Sequence, residues 1–186
     1  MRDDALTAWL ETSRAHHDIV TWARAHAPTW SQFWAECPRG DWLLGIAARA
    51  GVPRQRVVAA ALDCLPILSP YLPPEDATIE TALSTVRAYV AGDVFDLEAS
   101  RTSIETLLQR CVDPSTHAGV LAVDALLAAI EQPESAASVV VAAVQAAVMD
   151  AGDCAMISAA RFTEHECARL VREAIDLPTV MRSLGA

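Results

Sequence analysis

An all-α fold is what this sequence predicts, and three observations carry the prediction. Apolar residues recur at helical spacing through almost every segment of the chain. Ten prolines punctuate those segments, whereas the seven glycines never cluster. Strand-like alternation of apolar and polar residues is scarcely found. Helical segments joined by short breaks pack largely antiparallel with their sequence neighbours. The expected architecture is therefore an irregular array of about eight or nine antiparallel-packed helices, a bundle or a short helical-hairpin solenoid. No shared signature recurs at about 35–45 residues, as a named repeat class requires.

Taken in order, the first helix runs from about 13 to 27, where Ala15, Ile19, Trp22 and His26 mark one face and Pro28 closes it. Leu6, Trp9 and Leu10 form either an earlier turn or a loose arm. Three of the five tryptophans then crowd into 30–44. Trp30, Phe33, Trp34 and Cys37 fall on one helical stripe. Pro38 is expected in the first turn of the next helix, whose stripe is Trp42, Leu43, Ile46, Ala47 and Ala50. Stripes on consecutive short helices bring Trp22, Trp30, Trp34 and Trp42 towards one cluster. After Gly51 and Pro53, Val57, Val58, Ala61, Leu62, Leu65 and Leu68 line a longer helix that Pro66 kinks. Pro70, Pro73 and Pro74 make the strongest break; a single domain over 1–186 is expected, with 70–75 the place for a subdomain seam.

Beyond that break, Glu75 and Asp76 stand at the positive end of a helix that buries Ile79, Ala82, Leu83, Val86 and Val90 and stops at Gly92. Asp93 or Asp96 caps the next, with Leu97, Ile104, Leu107, Leu108 and Cys111 on one side and Glu98, Arg101 and Glu105 in water. Asp113 and Pro114 read as N-cap and first residue of a helix carrying Val120, Val123, Leu126, Leu127 and Ile130. From 135 to 151, Val139, Val140, Val141, Val144 and Val148 alternate with alanines around almost the whole circumference, as in a buried helix. A strand over 139–141 would have no partner. This segment is the expected centre of the C-terminal half. The last long helix sets Cys167, Leu170, Val171 and Ala174 in a stripe, Pro178 ends it, and a short turn over 180–184 caps the fold.

A chain of 186 residues buries a substantial core without disulfides or metals. Although 53% of it is hydrophobic, its longest apolar run, 139–149, is broken by Gln145 and falls short of the roughly 18–20 residues that a membrane span needs. Acids at Asp3 and Asp4 replace the bases of a secretory leader, so a cytoplasmic location is expected. Five scattered cysteines without a C-x-x-C pair suggest reduced, mostly buried thiols rather than a disulfide framework or a zinc ribbon. The chain has no lysine; its 14 basic residues are all arginine, and its net charge of −10 opposes nucleic acid. Residues 113–186 hold four arginines against ten carboxylates, a net of −6, which leaves −4 for residues 1–112. Simple solubility or a basic partner accounts for such a balance.

No catalytic, cofactor-binding or metal-ligating set is complete. His165, Glu166 and Cys167 begin like the zinc-protease helix H-E-x-x-H, but Arg169 stands where the second histidine must complete the metal face. Cys154, His165, Cys167 and Asp153 span a helix start and its middle, a poor metal geometry. His16, His17 and Asp18 are adjacent on a helix and point about 100° apart, with no nucleophile marked nearby. Asp41 and Asp63 sit beside core positions; the simpler reading is that one caps a helix or pairs with Arg39 or Arg49. Catalysis is therefore not expected.

Two stretches carry a resemblance. Trp34, Cys37, Arg39, Asp41, Trp42, Leu43 and Leu44 look like the W-x-x-C-x-R-x-D-W-L-L signature of the immunity protein family of bacterial toxin systems. Cys167, Ala168, Val171, Arg172 and Ile175 are similar to that family's closing C-A-x-x-V-R-x-x-I segment. The resemblance implies a small cytoplasmic α-helical protein that neutralises a toxin, and no catalytic or binding residues come with it. An acidic inhibitor of a basic toxin gains association rate from opposite charge. Binding through acidic turns, with Glu131 and Glu134 flanking one and Asp150 and Asp153 another, is the expectation that follows. A helical adaptor or scaffold for a signalling or structural partner is the alternative from a different class.

Overall fold

Side-chain caps open six of the α-helices in the computed structural model, which describes residues 5–185. Twelve α-helical segments and two 3₁₀ turns follow one another, with no strand among the described residues. The chain opens with α1 (Ala5–Thr12), α2 (His17–His26), α3 (Trp30–Glu36) and α4 (Gly40–Arg49). Next come α5 (Arg54–Leu62), α6 (Leu65–Leu68), the 3₁₀ turn Ser69–Tyr71, α7 (Ala77–Ala91) and α8 (Leu97–Leu108). The remainder is α9 (Pro114–Ala129), the 3₁₀ turn Pro133–Ser135, α10 (Ala136–Asp150), α11 (Met156–Ala174) and α12 (Leu177–Ser183). Side chains of Thr29, Asp76, Asp96, Asp113 and Asp176 accept from backbone N–H groups at the starts of α3, α7, α8, α9 and α12, supplying partners that the helix itself lacks. Gly92 closes α7 at φ 82°, a left-handed cap that costs glycine little.

The count exceeds the expected eight or nine because α1, α6 and α12 are real helices. None exceeds eight residues, too short to hold alone, so burial decides their existence. Leu6 and Leu10 are buried on α1, Leu65 and Leu68 on α6, Val180 on α12. Pro66 starts a new helix after a break at Asp63 and Cys64 instead of kinking a long one. Pro178 likewise lies in the first turn of α12, after α11 has stopped at Ala174. Pro38 precedes α4, which begins at Gly40. The corrections at Pro66 and Pro178 have one cause: proline tolerates the first turn of a helix, but the sequence does not show which flank the helix takes.

Buried apolar residues form one contiguous cluster from Leu6 to Val180. At its hub lies α10, which packs against α9, α11, α4 and α5. Ala142, Ala143, Ala146 and Ala147 are buried and let those neighbours approach. The helix is not covered all round, however: Val141 is 41% exposed, and Val144 and Val148 are half-buried. A second close approach occurs at Gly119 of α9, where an added Cβ would lie 2.6 Å from the Tyr71 carbonyl oxygen. The turn at 69–71 therefore rests directly on α9. Arg54 and Arg56 donate to the carbonyls of Ile130 and Ala174 at 3.0 and 3.3 Å, tying α5 to the ends of α9 and α11.

Trp30 and Trp34 belong to this one cluster and Trp22 and Trp42 pack against it, but their rings meet in separate pairs. Trp22 meets Phe33 and Trp42 edge-on, with ring centroids 5.6 and 6.2 Å away. Trp30 turns instead to Trp9 of α1, at 5.1 Å. Trp34 uses its indole elsewhere, as described below. On α2, Ile19, Val20 and Ala23 make the buried face, and His26 is exposed.

Candidate functional site

The two motif stretches, more than 120 residues apart in sequence, meet in the structure. Trp34 Nε1 donates to the Ile175 carbonyl at 3.0 Å, and Arg172 Nη1 donates to the Cys37 carbonyl at 2.8 Å. Gly40, the first residue of α4, lies against Cys167 and Ala168 of α11: a Cβ there would come within 2.8 Å of Cys167 Cβ and 2.9 Å of the Ala168 nitrogen. Beside them the Cys64 thiol points to the Cys167 carbonyl at 3.9 Å. Helices α3 and α4 supply one side of this joint and α11 the other. Burial pushes the Cys37 thiol up to about 12, and burial lowers the pKa of the Arg172 guanidinium. These are the properties of packed structural groups, not of a nucleophile, which needs a thiolate.

Above the joint, Arg39 makes a bidentate pair with Asp41, Nε to Oδ1 at 3.0 Å and Nη2 to Oδ2 at 2.6 Å. Its guanidinium lies 4.8 Å from the Trp42 ring centroid, and Glu164 stands 3.7 Å from its Nε. Hydrogen bonding to Asp41 raises the Arg39 pKa, so the guanidinium is a fixed cation. With both oxygens engaged, Asp41 is a structural carboxylate. Asp63 ends α5 and makes no ion pair among the described residues.

The histidines make only local contacts among the described residues. His16 caps α2, its Nδ1 accepting from the Asp18 nitrogen at 3.3 Å, and His17 contacts the Thr21 hydroxyl. His165 is exposed, Glu166 binds Arg169 at 3.1 Å, and Cys167 is buried. Among the described residues no group of three or more His, Cys, Asp or Glu could hold a metal ion. No described helix is long and apolar enough to cross a membrane.

The four acids singled out in the sequence fall at opposite ends of α10, whose 15 residues span about 22 Å. Glu131 is bound to Arg101 at 2.8 Å. Glu134, at the same end, is exposed and borders a hollow of about 320 Å³ that also takes in Arg49, Trp42 and His16. Asp150 and Asp153 are exposed in the turn between α10 and α11 and make no ion pair among the described residues. Asp150 lies near enough to Tyr71 to add to burial in raising the phenol pKa.

Around Asp150 and Asp153 the structure shows something the sequence reading passed over. Met149 is 58% exposed, Ile157 72% and Phe162 66%, with Met156 and the Cys154 thiol also reaching solvent. The N-terminal half of α11 carries only partly covered or exposed residues up to Phe162, and burial begins at Thr163. A signal for this was present: stepping back from Cys167 by one turn gives Thr163, which leaves Phe162 about 100° off the buried stripe. An off-stripe phenylalanine is a surface group whenever its helix has one covered face. No family model, no curated protein and no solved structure matches the chain.

Proposed function

We propose that this protein acts by stoichiometric binding to another protein, as an immunity-type inhibitor of a basic bacterial toxin, and not by turnover. The turn joining α10 and α11 is its contact surface. One observation carries the reading: Met149 at the end of α10 and Ile157 and Phe162 on the open half of α11 are each more than half exposed, and the turn between these helices carries Asp150 and Asp153, which make no ion pair among the described residues. Interfaces are built in this way, with an apolar centre that is desolvated on binding and a polar rim. The charge of −10 supports a basic partner by steering it. The motif resemblance supports a toxin as that partner.

The test is co-expression with the toxic domain encoded beside this gene. Wild-type chain restores growth, and Ile157→Asp with Phe162→Ser abolishes the rescue while the melting temperature stays the same. Association with the purified domain slows as salt rises, as steering requires. Rescue that survives the double substitution rules out this surface. Absence of any complex with the neighbouring gene product rules out the inhibitor reading.

A further inference from the structure

A furrow of about 710 Å³ opens between the end of α5, the proline-rich turn after α6 and the first turns of α7. Its floor is apolar: Leu65, Ile79 and Leu83 are buried, with Leu62 and Leu72 half-covered above them. Its rim carries four carboxylates, Asp63, Glu75, Asp76 and Glu80, against one guanidinium, Arg87. Two of the four are already employed. Asp76 caps α7 by accepting from the Thr78 nitrogen at 2.7 Å, and Glu80 stands 4.0 Å from Arg87. Asp63 and Glu75 make no side-chain hydrogen bond or ion pair among the described residues. Both side chains are exposed, and partial desolvation beside the furrow raises the Asp63 pKa.

Each class of occupant meets this chemistry differently. An anion is repelled by the rim. A neutral apolar molecule covers the floor but takes water from Asp63 and Glu75 without replacing it, which opposes binding. A bare metal ion finds no cluster of three ligating side chains among the described residues and gains nothing from leucine. A cation with an aliphatic body satisfies both parts. The volume lies within the range of about 300–1,000 Å³ usual for small-molecule sites.

We propose that this furrow binds a small organic ammonium ion, its charge between Asp63 and Glu75 and its alkyl chain on Leu62, Leu72 and Ile79. The furrow shares no residue with the proposed protein-binding surface, and its test contains no partner protein, so failure here leaves the inhibitor reading untouched.

The probes are n-octylammonium, octanoate of the same chain length, and ethylammonium, titrated calorimetrically into the full chain. Octylammonium binds saturably at one per chain, at least about tenfold more tightly than either octanoate or ethylammonium. Asp63→Asn with Glu75→Gln weakens it by at least about tenfold while leaving the circular-dichroism spectrum unchanged. On the wild-type chain, raising salt from about 50 to about 500 mM weakens octylammonium severalfold, a check independent of any variant. Equal binding of octanoate, equal binding of ethylammonium, an undiminished double variant, indifference to salt or a non-saturating titration each overturns the proposal.

Discussion

The two halves of α11 are built on opposite rules. From Thr163 to Ala174 the helix is packed so tightly against α4 that Gly40 has no room for a methyl group. From Met156 to Phe162 no residue of the same helix is fully buried. The packed half and its C-cap hold Cys167, Ala168, Val171, Arg172 and Ile175, and the open half holds none of them. Trp34, Gly40, Cys167 and Arg172 hold α3 and α4 to α11. The exposed apolar side chains Ile157 and Phe162 lie on the open half, outside both motif stretches.

The largest expected effect sharpens that division inside the aromatic region. Trp34 is 4% exposed and its indole satisfies the Ile175 carbonyl, so Trp34→Ala should cost about 3–5 kcal/mol in a urea melt. Trp42 is half-buried, and Trp42→Ala should cost about 1–3 kcal/mol. Equal losses would show that the joint has no special place in the core.

A pH titration probes the same joint from its thiols. The Cys37 pKa is raised by burial from an ordinary 9.0 to about 12, and that of Cys64 is raised as well. A raised native pKa means that the stabilising contribution is complete below pH 9 and is lost as pH rises towards 12, because the unfolded thiol ionises first. Without lysine, only cysteines and the two tyrosines titrate among side chains in that window. We expect stability to fall by about 2–4 kcal/mol between pH 9 and 12, and Cys37→Ala to flatten the curve. A flat wild-type curve would mean that Cys37 is reached by water. In the same spirit, Cys154 should react with a thiol reagent at pH 8 on the order of a hundredfold faster than Cys37, Cys64 or Cys167.

Glycine substitutions separate the packed and open ends directly. Gly40→Ala gains helix propensity yet should lose about 1–3 kcal/mol, since the nearest obstacles include the backbone of Ala168. Gly152, in the α10–α11 turn, has nothing within 4 Å of an added Cβ, and Gly152→Ala should change stability by less than about 0.5 kcal/mol. Thermal melts of the pair decide this: a tolerated Gly40→Ala would show that α4 can slide on α11.

The smallest effect belongs to the exposed turn. Ile157→Asp should leave stability within about 0.5 kcal/mol of wild type, because the side chain is 72% exposed. A loss beyond about 2 kcal/mol would place Ile157 in the core and remove it from any interface.

Much of this fold could be read directly. Periodicity located the long helices; Asp113 caps α9 as expected, Asp96 rather than Asp93 caps α8, and Asp76, expected with Glu75 at the positive end of α7, is its N-cap. Val120, Val123, Leu126, Leu127 and Ile130 are buried as their stripe required. These features are local: a cap or an i, i+4 stripe is complete within a few residues, so sequence alone determines it. What depended on a distant partner was illegible. Trp30 turned to Trp9 because α1, too short to hold alone, is held by burial, and no local signal reports that. The four acids lay equally in turns, yet one turn has Arg101 nearby and the other has exposed Met149, Ile157 and Phe162. Nor does any spacing announce that Gly40 touches Cys167, or that Leu62, Leu72 and Ile79 line one furrow. Local sequence sets backbone propensity and the face a helix must hide; only the tertiary structure decides what lies against that face and which faces are left open, because those contacts join residues that the chain itself keeps far apart.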